Sequence, residues 1–319
     1  MRIAIITHTR RGSRGGNRVT ALRWAGLLRR AGHRVTIGQY WRGDATDVLV
    51  ALHATHSAAE LERYHAAHPA GPSVLVLTGT DVYVDLPAAG GHLPALELAT
   101  HLVALNPCVL DAIPAVYRAR ASVITQSARA VDGGPPDPER FEVLVAGHLR
   151  RIKDPFLAPR AARLLPETSR LLVTHVGGAL DEAMRRLAEK ESERNPRYRW
   201  LGERPRREVL ERLDRARALV VTSVNEGGPG VVTEALACTT PILSTRIPAA
   251  EGLLGADYPG FFGVGEVGEL ARALGRIEND PAFLDVLRAR CAALRASVDP
   301  AREQRDLERL LEGLTLPAD

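Results

Sequence analysis

The chain has 319 residues, 45% apolar and 25% charged, which is the usage of a globular protein long enough for two domains and unlike that of a disordered or collagen-like chain. Its 42 basic and 38 acidic residues leave a net charge of +4, too small an excess to argue for a nucleic-acid partner. Three widely separated cysteines, Cys108, Cys238 and Cys291, exclude a disulfide framework or a zinc ribbon and fit a reducing compartment.

Residues 1–7 form too short an apolar run for a signal peptide and read as a first strand. No run of about 18 apolar residues predicts a membrane span, so a cytoplasmic protein is expected. Short apolar runs then alternate with longer amphipathic segments, the pattern of a parallel sheet covered by helices. Strands are predicted at 2–7, 34–39, 48–52, 73–78, 101–105 and 122–125. A helix is predicted over 17–31 from the spacing of Val19, Leu22, Ala25, Leu27 and Leu28, and another opening at Asn106-Pro107. The proline- and glycine-rich stretch 127–138 reads as a linker. Behind it strands are predicted at 141–146, 171–176, 198–201, 218–222, 241–244 and 260–263. Helices are expected to open at Pro155, Pro205 and after Pro229, and the chain from Glu266 onward reads as helical. The fold class is therefore α/β: two Rossmann-like doubly wound parallel-sheet domains, 1–138 and 139–298, facing a central cleft. Residues 299–319 form a C-terminal helix and tail expected to pack back on the first domain. Ligands of such sheets bind at loops that follow strands.

Three of those loops carry the residue types of an anion seat. After the first strand, Gly15 and Gly16 permit close backbone approach at a helix start, with Arg10, Arg11, Arg14 and Arg18 around them. The glycines, at 12, 15 and 16, form neither GxGxxG nor a P-loop. After 141–146 comes Gly147-His148-Leu149-Arg150-Arg151-Ile152-Lys153. In a chain whose only lysines are 153 and 190, an ammonium here suits a diphosphate, with Arg150 or Arg151 as a fork. After 218–222, Gly227, Gly228 and Gly230 ring a helix start, bracketed by Glu226 and Glu234, whose carboxylates suit sugar and ribose hydroxyls. Together these loops suit a nucleotide diphosphate joined to a sugar.

The stretch Glu226-Gly-Gly-Pro-Gly-Val-Val-Thr-Glu234 resembles the E-x7-E signature of retaining GT-B glycosyltransferases of family GT4. Gly147-His-Leu to Lys153 resembles their G-R-L…K diphosphate motif, and Gly15-Gly16-Asn17 their first glycine loop. Val176-Gly177-Gly178 and Trp200-Leu-Gly202-Glu-Arg204 resemble the loops edging their nucleotide pocket. More narrowly, Gly16-Asn-Arg-Val-Thr-Ala-Leu-Arg-Trp-Ala25, Leu52-His-Ala54, Leu77-Thr-Gly-Thr-Asp-Val-Tyr83 and Gly147-His-Leu-Arg-Arg-Ile-Lys-Asp-Pro-Phe156 resemble the SenB-type selenosugar synthases of selenoneine biosynthesis. That family joins selenophosphate to the anomeric carbon of a UDP-sugar, preferably UDP-N-acetylglucosamine, and releases UDP. His148 stands where ordinary GT4 enzymes carry Arg, and Thr78-Gly79-Thr80-Asp81 where many carry His-Gly-x-Asp.

The resemblance implies that Lys153, Arg150 and the amides at Gly227–Gly228 take the leaving-group charge, Glu226 the donor-sugar hydroxyls and Glu234 the ribose. Gly147, His148, Gly177, Gly202 and Arg204 line the donor side, with the uracil near Gly202–Arg204. Gly15, Gly16, Asn17 and Arg18 face an anionic acceptor. His53 and Asp81 are candidates for touching acceptor or sugar; the alternatives are a satisfied structural His and an N-capping Asp. The pairs His53/His56 and His65/His68 have helical spacing without a completing acid or thiol, so they read as solvated faces rather than metal ligands. No cofactor, resident metal, nucleic acid or membrane is implied. The small-molecule substrates link the chain to selenophosphate synthetase and to a downstream selenoneine synthase. The alternatives are a GT4-like enzyme acting on a hydroxyl acceptor and a nucleotide-sugar epimerase on the same fold; a dinucleotide-binding Rossmann enzyme is disfavoured by the missing GxGxxG.

Overall fold

The computed structural model describes residues 1–13 and 15–315. Arg14, one of the four cations of the first glycine loop, and tail residues 316–319 lie outside the described residues. The chain divides into two compact units. The first comprises Met1–Ser127, the tripeptide Glu226–Gly228 and the segment from Pro300; the second comprises Ala128–Asn225 and Pro229–Asp299.

The first unit holds the strands β1 (Arg2–Thr7), β2 (Arg34–Gly38), β3 (Val48–Leu52), β4 (Ser73–Leu77), β5 (His101–Ala104) and β6 (Ala121–Val123). All pair in parallel, in the order β2-β1-β3-β4-β5-β6. Its helices are α1 (Gly16–Arg30), α2 (Ala54–Ala67), the short α3 (Leu86–Ala88), α4 (Pro94–Leu98), α5 (Cys108–Ala112) and α6 (Ala115–Arg118). Successive strand side chains point to opposite faces, so each strand feeds two cores. Ile3, Ile5, Val48, Val50, Val74 and Val76 pack on Trp24, Leu27 and Leu28 of α1, while Leu49, Ala51, Leu75 and Leu77 pack on Leu61 and Tyr64 of α2.

The second unit holds β7 (Phe141–Ala146), β8 (Leu171–Val176), β9 (Tyr198–Trp200), β10 (Ala218–Val221), β11 (Ile242–Thr245) and β12 (Phe261–Phe262). The helices are α7 (Leu157–Ala162), α8 (Glu182–Arg194), α9 (Arg206–Arg215), α10 (Gly230–Cys238), α11 (Pro248–Leu254), α12 (Val267–Asn279) and α13 (Pro281–Leu294). This sheet is also wholly parallel, in the order β12-β11-β10-β7-β8-β9. Numbered within the unit, that is the doubly wound 3-2-1-4-5-6 arrangement, whose topological switch point lies between β7 and β10. In the first unit the switch falls between β1 and β3. Segment 127–138 contains neither helix nor strand.

The closing helix α14 (Pro300–Thr315) belongs to the first unit. Leu307 and Leu311 join the core beside α1, and the buried carboxylate of Glu303 accepts from Trp24 Nε1 at 2.8 Å, Arg23 Nε at 3.0 Å and the Ser127 amide at 2.9 Å.

Two expectations are corrected. No α-helix opens at Pro155: a 3-10 turn over Arg151–Lys153 comes first, Asp154 adopts the left-handed region at φ +36°, and α7 begins at Leu157. A residue before proline is pushed out of the right-handed helical region, which explains the break. The helix expected from Asn106-Pro107 begins at Cys108, with Asn106 Oδ1 accepting the Cys108 amide at 3.0 Å, and stops at Ala112.

Candidate active site

Backbone bonds between consecutive loops build the carboxyl end of the second sheet. The Gly147 amide donates to Val176 O, Leu149 N to Gly178 O and Gly177 N to Gly202 O, each at 2.9 Å. Trp200 Nε1 donates to Gly177 O at 2.8 Å. A Cβ on Gly177 would stand 1.9 Å from Gly147 O, so only glycine allows this approach. Two imidazoles complete the weave. Nδ1 of His148 accepts the Gly178 amide at 3.1 Å, so the ring ties the β7 loop to the β8 loop. His175, fully buried at the end of β8, donates from Nε2 to Gly147 O at 3.0 Å and accepts from the Tyr198 hydroxyl at Nδ1 at 3.1 Å. Burial lowers its pKa to about 4, which keeps the ring neutral in the tautomer both bonds require.

At the β7/β10 switch point the two loops are strapped together. Thr222 Oγ1 donates to Lys153 O at 2.7 Å, and Val224 N donates to Ile152 O at 2.8 Å. Lys153, half-buried, ends the 3-10 turn, and Arg150, exposed, precedes that turn. A compact ammonium and a guanidinium thus border a loop whose backbone is fixed, which is what binding of a diphosphate requires. Glu234 lies in the second turn of α10 and pairs with Arg206 at the start of α9, at 2.7 Å. Arg204 stands 3.6 Å from Glu208.

Glu226–Gly228 groups with the first unit although it follows β10 in the chain. The buried Asn106 side-chain amide donates to Gly227 O at 2.6 Å. A Cβ on Gly227 would stand 2.1 Å from Thr78 O, and one on Gly228 would stand 2.9 Å from the Leu105 Cβ, so this backbone runs against the ends of β4 and β5.

On the first sheet, β1 leads through loop 8–15 into α1, where Gly15 is an extended N-cap without a side-chain bond to the helix. Gly16, Asn17 and Arg18 form the first turn, and Nε of the half-buried Arg18 is shielded from solvent with no hydrogen-bond partner. Asp81 is buried and accepts the amides of Thr78, Gly79, Val82 and Ala54, so its carboxylate orders the loop after β4 and the start of α2. Its described partners are those of the structural alternative. His53 is also buried, which corrects the solvated-face reading of the His53/His56 pair. It caps α2, with Nδ1 facing the His56 amide at 3.4 Å and Nε2 bonded to Thr80 Oγ1 at 2.9 Å. Among the described residues, no group of three His, Cys, Asp or Glu could hold a metal ion.

Sequence reasoning did not find Arg206, His175, Asn106 or His8 as participants. Only His175 leaves a sequence signal, an imidazole inside the apolar strand Leu171-Leu-Val-Thr-His-Val176.

The family model of the glycosyl transferases group 1 matches residues 130–293, just over half of the chain. The chain belongs to that family. No curated protein matches this glycosyltransferase. Among solved structures it is similar to HepE of Anabaena in complex with UDP and glucose, at 16% identity and a TM-score of 0.75, over 98% of this chain and 100% of that one. It is similar to a sucrose-phosphate synthase of Thermosynechococcus elongatus at 15% identity and a TM-score of 0.77, over 98% of each chain. A trehalose-6-phosphate protein of E. coli bound with UDP-2-fluoro glucose matches at 12% identity and a TM-score of 0.72, over 100% of each chain. Two parallel sheets flanked by helices, with these neighbours, make the glycosyltransferase a member of the GT-B fold. No helix among the described residues is long and apolar enough to cross a membrane.

Proposed function

We propose that this glycosyltransferase is a selenosugar synthase, which transfers the sugar of UDP-N-acetylglucosamine to the selenium of selenophosphate. The bond from C1 to the UDP oxygen breaks, UDP leaves with the electron pair, and a C1–Se bond forms. The observation that carries the reading is the cationic loop at the β7/β10 switch point, Gly147 to Lys153, braced by glycine backbone in a member of the glycosyl transferases group 1. Departure of UDP needs charge stabilisation, and Lys153 with Arg150 is the source assigned to it, together with the Gly227–Gly228 amides. Glu226 accepts from the donor-sugar hydroxyls and Glu234 from the ribose, after release from Arg206. The UDP donor is supported by the UDP and UDP-sugar complexes of HepE and the trehalose-6-phosphate protein. Support for selenophosphate comes from the motif resemblance and from the Arg-bearing first glycine loop, which suits an anion at Gly15, Gly16, Asn17 and Arg18. A selenium nucleophile is ionised and soft, so it needs no strong general base. In this reading the reaction takes no cofactor, works in the cytoplasm, draws on selenophosphate synthetase and supplies a selenoneine synthase.

The test is release of UDP from UDP-N-acetylglucosamine with selenophosphate, thiophosphate, phosphate or no acceptor. Turnover is expected with selenophosphate, more weakly with thiophosphate, and not with phosphate. An epimerised donor formed without acceptor, or turnover on a hydroxyl acceptor alone, contradicts the proposal.

A further inference from the structure

Three imidazoles meet at the β1/β3 switch point of the first unit. The ring centroid of His56 lies 4.2 Å from that of His8 and 4.2 Å from that of His53, and His8 and His53 are 5.6 Å apart. His8 is the first residue after β1, His53 the first after β3, and His56 lies in the first turn of α2. Ligands of open parallel sheets sit at this point of the topology. The backbone also marks the place: His53 is held at φ +81°, a region side-chain-bearing residues avoid, and such strain concentrates at functional sites.

His53 itself is committed. Its Nδ1 accepts the His56 amide, so its proton lies on Nε2 and is donated to Thr80 Oγ1. It is a positioning residue that aligns the cluster, and the exposed rings of His8 and His56 carry the remaining chemistry. The charged groups facing the cluster are Asp81 and Asp85 of the π-helical turn Asp81–Asp85. Asp81 is committed to four amides, and Asp85 accepts the Thr55 hydroxyl at 2.5 Å. From the β2 side, Gln39 donates to the His8 carbonyl at 2.9 Å, and Arg10 and Arg11 follow His8 in the chain.

We propose that His8 and His56, together with the glycine end of loop 8–15 already assigned to the acceptor, form the seat of a phosphoryl-class dianion, the acceptor of the reaction proposed above, and that the pair takes up a proton when that dianion binds. The inference rests on that reading of the acceptor. Without ligand, partial desolvation among the neighbouring rings, and then the imidazoles of His56 and His53, lower the pKa of His8 to about 4, so its ring is neutral at neutral pH. A dianion brought within about 5 Å raises an imidazole pKa by about one to three units, enough to bring His8 into the range where it binds a proton. Tilted rings whose centroids lie 4.2 Å apart accept a single proton between them, because a second would meet the first at close range. Linkage then fixes the sign: affinity for the dianion is highest at acid pH and falls as pH rises through the pKa of the bound state.

Thiophosphate is the probe, titrated calorimetrically at pH 6.5 in buffers of different ionisation enthalpy, with UDP titrated in parallel. The wild-type protein is expected to take up a fraction of a proton, at most about three-quarters, with thiophosphate. The KM for the acceptor dianion, corrected for the acceptor's own ionisation, should also rise between pH 6 and pH 8. His8→Gln and His56→Gln should each abolish the uptake and weaken thiophosphate about tenfold, the scale of one charged hydrogen bond, with UDP affinity unchanged. Equal uptake and equal acceptor affinity in the two variants overturn the inference while leaving the reading of the acceptor intact. So does loss of UDP affinity in place of thiophosphate affinity, which would assign the seat to the donor's diphosphate. Failure of the wild-type protein to bind thiophosphate at all removes the anionic acceptor itself, and the inference with it.

Discussion

Replacing Gly177 by Ala tests how far the second unit depends on backbone-to-backbone contact at its sheet end. The added methyl would stand 1.9 Å from Gly147 O, about 1 Å inside the closest approach that real Cβ atoms keep, and the obstacle is main chain that cannot rotate away. The β7 or β8 loop must move. The bonds at risk are Gly177 N to Gly202 O, Trp200 Nε1 to Gly177 O and Gly178 N to His148 Nδ1. Strain from a clash of this kind costs about 1–3 kcal/mol, and each bond lost adds about 1 kcal/mol, so a destabilisation of about 3 kcal/mol is expected. For a unit of this size that lowers the Tm by about 6–12 °C. Gly178→Ala is the control, since its Cβ would meet nothing closer than 3.5 Å and should cost less than about 1 kcal/mol. Thermal unfolding followed by circular dichroism, with UDP titration of both variants, separates the two. Equal melting temperatures and equal UDP affinity would refute the claim that this contact holds the loops.

Glu303→Ala leaves the half-buried Arg23 and the buried Trp24 donors without their acceptor, a loss of about 3–5 kcal/mol in the first unit, readable by urea denaturation; a cost below about 1 kcal/mol would show the carboxylate to be dispensable. His175 predicts an acid dependence in the second unit. Its folded pKa, about 4, lies below the unfolded value near 6.5, so the stability present above pH 6.5 falls as pH drops towards 4, by up to roughly 3 kcal/mol. His175→Asn should flatten that slope in denaturation at pH 7 and pH 4.5. Lys153→Ala should lower kcat for UDP release by about a hundredfold or more, the scale for losing a charge that stabilises a leaving group. Glu226→Ala should do likewise through the sugar, and wild-type rates in both variants would remove them from the reaction.

The sheet cores were readable because parallel strands covered on both faces are continuous apolar runs; β1, β3, β7 and β8 have the boundaries their sequences predict. Strand ends resting on turn chemistry moved by a residue or two, as at β12, which keeps only Phe261–Phe262. The π-helical turn Asp81–Asp85 has no periodic signature, because the Asp81 carboxylate that collects four amides makes it. Loop composition pointed to Lys153, Glu234 and the glycines, yet it could not reveal that Arg206 holds Glu234 or that Asn106 holds Gly227, since those partners lie 28 and 121 positions away. The packing of His8 on His56 is equally non-local and left no trace in either segment.

The most direct measurement of the central claim is the bond formed at the anomeric carbon. UDP-N-acetylglucosamine labelled at C1, incubated with isotopically enriched selenophosphate, is predicted to give UDP and a product whose NMR spectrum shows one-bond carbon–selenium coupling at C1. A product with C1 bonded to oxygen, formed at an undiminished rate when selenophosphate is omitted, would contradict it.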